Sequence, residues 1–150
     1  MRAKRFYVLA AAILCALTLT ACGSYAPVLR ANWGVRIPWA AWCREIYEAD
    51  SGPSPQGDGL RYHVYSYCYE DEMTENLVVW REPEGQTING TDCVDVADSY
   101  LERLVVPPSK RPDYENCLLW YATGEEDPRD ELLLFLDTVQ NRLYVLECFL

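Results

Sequence analysis

A chain of 150 residues is long enough for one compact domain and too short for two comfortable ones. Half of it is hydrophobic and 24% is charged, which excludes wholesale disorder. Thirteen Lys and Arg against 23 Asp and Glu leave a net charge of −10; a surface of that sign repels phosphate backbones, so no nucleic-acid partner is expected.

Arg2, Lys4 and Arg5 open the chain, and no acid occurs before Glu45. Residues 6–19 follow as an apolar run of 14, interrupted only by Thr18. That run is too short for a bilayer core, which takes about 20 apolar residues, and it suits a signal peptide. It ends in Leu19-Thr20-Ala21-Cys22-Gly23, an ending that resembles the bacterial lipobox. The resemblance implies that the Cys22 thiol receives a diacylglycerol and that cleavage leaves Cys22 as the first residue. The chain then divides into a leader (1–21), a lipidated N-terminus with a short linker (22–31) and a single domain (32–150). Residues 24–31, at about 3.3 Å each, reach at most about 30 Å. The protein is expected outside the cytoplasm, lipid-anchored to a cell membrane. In a cell with two membranes, Gly23 where Asp would stand favours the outer one. Without the leader, ten positive residues face 23 negative ones, a net charge of −13.

Further along, Trp39, Trp42, Cys43, Ile46 and Tyr47 recur at i, i+3, i+4, i+7 and i+8, which predicts a helix over 38–49 with Pro38 in its first turn. Residues 50–59 hold three Gly, two Pro and two Asp and form a turn region. Residues 60–69 alternate as a strand, with His63, Tyr65, Tyr67 and Tyr69 on one face and Tyr62, Val64, Ser66 and Cys68 on the other. Over 71–81 the spacing of Met73, Leu77 and Trp80 is helical while Leu77-Val78-Val79-Trp80 favours a strand; a short helix is preferred. A loop covers 83–90. A second helix is predicted over 92–105, with Asp92 as N-cap, Val94, Ala97, Leu101 and Leu104 inward, and Pro107-Pro108 as its stop. Strands follow over 116–122, 131–137 and 142–150, the last two joined by Asp137-Thr138-Val139-Gln140-Asn141, whose Asp and Asn tolerate tight-turn geometry. Both late strands are apolar on both faces, as in a sheet covered on both sides. The fold class expected is α+β, a mainly antiparallel sheet of about four strands with two or three helices on one face.

After Cys15 and Cys22, five cysteines remain: Cys43, Cys68, Cys93, Cys117 and Cys148. Their spacings match no zinc pattern. Outside the cytoplasm disulfides are permitted, and the odd count leaves at least one thiol unpaired within the chain; buried cysteine also packs well as a small hydrophobe. His63 is the sole histidine after the leader and in the whole chain. It has no nucleophile at a recognised spacing, and a partly exposed sheet position is expected for it. Asp50 and Asp58 flank a Gly-rich turn that superficially suits a cation, without the regular ligand alternation of a calcium loop. Asp50, Asp58 and His63 are therefore candidate ligand or ion contacts. No catalytic set, metal centre or cofactor is predicted.

The decapeptide Asp50-Ser51-Gly52-Pro53-Ser54-Pro55-Gln56-Gly57-Asp58-Gly59, with the aromatic strand after it and Asp137-Thr138-Val139-Gln140-Asn141-Arg142-Leu143-Tyr144 near the end, resembles a family of small Firmicutes lipoproteins of unknown function. Their turn reads close to Asp-Thr-His-Gly-Gly-Phe-His-Gly-Asp-Gly. Gly52 and Gln56 stand here in place of the family's two histidines, so a metal or catalytic role for that turn is not carried over. The function expected is a non-enzymatic, membrane-tethered interaction module whose acidic surface suits a basic envelope or secreted protein. The alternative is a lipid-anchored enzyme or a solute- or ion-binding accessory using residues 50–63.

Overall fold

The computed structural model describes residues 25–37, 43–52, 58–68 and 79–150. Its centre is a five-stranded sheet in the order β1-β2-β7-β6-β5, antiparallel throughout. The strands are β1 (Cys43–Asp50), β2 (Gly59–Tyr67), β5 (Cys117–Thr123), β6 (Glu131–Asp137) and β7 (Arg142–Phe149). A small hairpin, β3 (Thr87–Ile88) and β4 (Thr91–Asp92), stands apart. It turns at Asn89-Gly90, both at positive φ (49° and 82°), the geometry a two-residue hairpin demands.

Helices cover both faces. Helix α1 (Ala26–Trp33) lies on one face with Leu29 fully buried against Tyr65, Leu134 and Val145. Helix α2 (Cys93–Arg103) lies on the other, its Cys93, Ala97 and Leu101 packed with Val64, Phe135 and Leu146. The expectation of helices on one face is corrected accordingly. Alternation along β2 explains the division: Tyr62 and Val64 join the α2 face, Tyr65 and Tyr67 the α1 face. β6, Glu-Leu-Leu-Leu-Phe-Leu-Asp, is buried at all seven positions because both its faces are covered.

Local signals place α2 and the last hairpin. Asp92 Oδ1 accepts the Val94 N–H at 2.8 Å, capping α2 as the sequence predicts. Past α2, Val105 takes φ 54° and Pro107 and Pro108 follow. Asp137 Oδ1 accepts the N–H groups of Val139 and Gln140 at 2.9 and 2.7 Å, and Asn141 takes φ 53°, so the 137–141 turn forms as predicted.

Three points differ from the sequence reading. Cys43–Asp50 is strand β1, not the second half of a helix, and this strand is the fifth member of the sheet. Its register shifts between Glu45 and Tyr47, which leaves Ile46 as an extra residue, a bulge. Cys43 packs on the α1 face while Ile46 and Tyr47 pack on the α2 face, and an alternation broken in this way imitates helical spacing. Residues 38–42 lie outside the described set, as do 71–78. Of the expected helix over 71–81, Val79 and Trp80 are irregular and Arg81 forms an isolated bridge to Leu119. Third, α1 begins at Ala26, so packed structure starts ahead of the expected boundary at 32; Pro27 suits its first turn, and Gly34 at φ 69° closes it, donating its N–H to the Arg30 carbonyl. Of the two possibilities the sequence leaves open for the five cysteines, the structure has free thiols: Cys43, Cys93, Cys117 and Cys148 are buried and Cys68 is exposed.

Candidate functional site

The α1 face of the sheet carries a polar group of side chains at its β1–β2–β7 side. His63 sits mid-β2, opposite Glu48 on β1 and Val145 on β7. In a regular strand, Glu45 and Glu48, three positions apart, point to opposite faces. The bulge at Ile46 removes that opposition: Glu45 lies opposite Tyr65 and Glu48 opposite His63, and Tyr65 and His63 share a face. Both carboxylates are thereby brought to the histidine. His63 Nδ1 and Glu45 Oε1 are 2.5 Å apart, a hydrogen-bonded pair. One ligand-capable atom from each of Glu45, Glu48 and His63 lies within 4.8 Å of the others.

The imidazole is fixed from above by Tyr25, the residue preceding α1, whose ring stacks on it at 3.9 Å and 11°. The Tyr25 hydroxyl accepts a hydrogen bond from Arg61 Nη1 at 2.8 Å, and the guanidinium lies 4.9 Å from the Phe149 ring centre. Glu147, opposite Arg61 on β7, is fully buried and accepts from Trp33 Nε1 at 2.5 Å, while its Oε2 has no hydrogen-bond partner among the described residues. Burial pushes the Glu147 carboxyl above its ordinary range, against the opposing pull of Tyr25, Trp33, Arg61 and His63. Burial, then Glu147, pushes the Tyr25 phenol up as well. Tyr65 is 2% exposed and its hydroxyl has no hydrogen bond of good geometry among the described residues; burial, then the neighbouring Glu45, pushes the phenol up.

Of the residues singled out in the sequence, only His63 belongs to this group. It is 6% exposed rather than partly open, because Tyr25, just ahead of α1, lays its ring over it. Asp50 ends β1 opposite Arg61, and its Oδ1 accepts the Gly52 N–H at 2.6 Å, a local turn bond. Asp58 precedes β2, five residues ahead of His63, roughly 17 Å away along an extended strand. Cys22 lies outside the described residues. Glu45, Glu48, Tyr25 and Glu147 carried no local signal; only the pairing of β1 with β2 across the 50–59 turn, with its bulge, would have found the first two.

No protein-family model matches the chain, and neither a curated protein nor a solved structure matches it. The arrangement therefore stands on its own chemistry: a buried imidazole with two carboxylates, clamped by an aromatic ring, at the margin of a rigid sheet.

Proposed function

We propose that the chain is a lipoprotein held on the outer side of a bacterial membrane, where its domain acts as a non-enzymatic interaction module. The observation that carries this reading is the run Leu19-Thr20-Ala21-Cys22 directly after a positive start and a 14-residue apolar stretch. The packed start of the domain supports it. Tyr25, three residues beyond Cys22, is already stacked on His63, so the chain between a lipid on Cys22 and the packed domain could span no more than about 10 Å. A domain tied so closely to a bilayer meets partners at the membrane surface rather than at the end of a stalk.

Charge selects the partner. With ten basic residues against 23 acidic ones after the leader, the domain repels anionic lipid and attracts a basic envelope or secreted protein. In-cell crosslinking of the full chain, with Cys22→Ala beside it and recovery read by mass spectrometry, tests both halves. The reading expects the wild-type chain in the membrane fraction with one specific partner, and the variant released without it. A variant that stays membrane-bound would overturn the anchor; an anchored protein that recovers nothing beyond the background would overturn the interaction role.

A further inference from the structure

We propose that His63, Glu45 and Glu48 form a binding site for a divalent transition-metal ion, of which zinc is the best fit. The site does not depend on the tether. Its donor set is one imidazole nitrogen and two carboxylate oxygens, the mixture that suits zinc-like ions rather than the all-oxygen shells of calcium and magnesium or the thiolates preferred by softer metals. The three ligand atoms already lie within 4.8 Å of one another. A tetrahedral ion about 2.0–2.1 Å from each would bring them to roughly 3.4 Å apart. Rotation of the exposed Glu48 side chain brings its oxygen in, and Glu45 Oε1, 2.5 Å from His63 Nδ1, moves back by about 1 Å as the ion replaces their hydrogen bond. Three protein ligands leave a fourth position for water or a partner's group.

A second, separate observation points to a ligand. The Tyr65 hydroxyl is buried beside Glu45 and has no hydrogen bond of good geometry among the described residues, and an unmet buried hydroxyl costs free energy. When Glu45 turns one oxygen to a metal, its other oxygen is free to accept from Tyr65, the outer hydrogen bond that orients ligating carboxylates. The Tyr25 ring stacked on His63 does the same for the imidazole, holding its plane without occupying a ring nitrogen. Charge agrees. Two carboxylates converge on one imidazole, while Arg61, the nearby cation, is engaged with Tyr25 and Phe149. A divalent ion balances them.

Zinc titration of the purified full chain in detergent, stripped of metal beforehand and followed by calorimetry, tests the site. One ion per chain is expected. His63→Gln and Glu45→Gln should each weaken binding by about 100-fold or more, and Tyr65→Phe by about tenfold. Because Glu48 is exposed, Glu48→Gln keeps the fold and should also weaken binding by about tenfold or more; it decides the case if the His63 variant fails to fold. Zinc binding that is absent, or unchanged in Glu48→Gln and Tyr65→Phe, overturns the proposal. Calcium that competes with zinc at equal concentration overturns the choice of metal class.

Discussion

Glu147 is a carboxyl that the fold would rather keep protonated. Its native pKa lies above the unfolded value of 4.5 because burial penalises the charge. The protonated form is therefore favoured by folding: its contribution is complete below pH 4.5 and is lost as pH climbs from there through the raised native value. Glu147→Gln keeps the acceptor for Trp33 and removes the titration, so its melting temperature should exceed that of wild type at pH 8 and equal it at pH 4. A variant less stable at pH 8 would mean that the charge itself is needed. The thiols divide in a similar way. Burial pushes Cys43 and Cys117 up to about 12 and Cys93 up to about 11, and raises Cys148. At pH 8 in the native protein, Cys68 should be the one of the five that reacts quickly with a disulfide reagent, since it alone is exposed. The other four should react only on unfolding, and Cys68→Ser should abolish the fast phase.

Strands and helices that announce themselves by short-range chemistry were legible in the sequence. β6 and β7 read as apolar runs of strand length, the 137–141 turn as Asp and Asn at its ends, and α2 by its Asp92 cap and the spacing of Ala97 and Leu101. Removing that cap with Asp92→Ala should cost about 1 kcal/mol in chemical denaturation. β1 was not legible, because the bulge at Ile46 moves Cys43 and Ile46–Tyr47 to opposite faces at a spacing that a helix would also give. α1 is only eight residues long; Pro27 and Gly34 mark its ends, but its stability comes from Leu29 and Trp33 docking on the sheet, a tertiary effect that those two residues do not announce. The candidate site shared the fate of β1. His63 was visible as a lone histidine, but its carboxylate partners depend on a register that no single strand specifies. Deleting Ile46 should return β1 to regular alternation and part Glu45 from Glu48. Zinc affinity should then fall about as far as in Glu45→Gln, while circular dichroism keeps its sheet signal.

Both faces of the sheet are covered, so stability is concentrated at its centre. Leu134, fully buried on the α1 face of β6, should cost about 2–5 kcal/mol on replacement by Ala. The net charge of −13 after the leader acts in the opposite direction, by self-repulsion. Raising NaCl from about 20 to about 300 mM should screen it and lift the melting temperature, while weakening any complex with a basic partner. The bulged β1 also closes one edge of the sheet against strand-to-strand aggregation. The docking of Tyr25 has a mechanical meaning too. Among the described residues, a pull from the N-terminal side arrives first at one aromatic ring, lying flat on His63 and hydrogen-bonded by Arg61. The load meets the stack as a peeling force, one contact at a time, before it reaches Leu29 and Trp33 further along the helix. Tension at the N-terminus would thus act on the cover of the imidazole before it acts on the sheet.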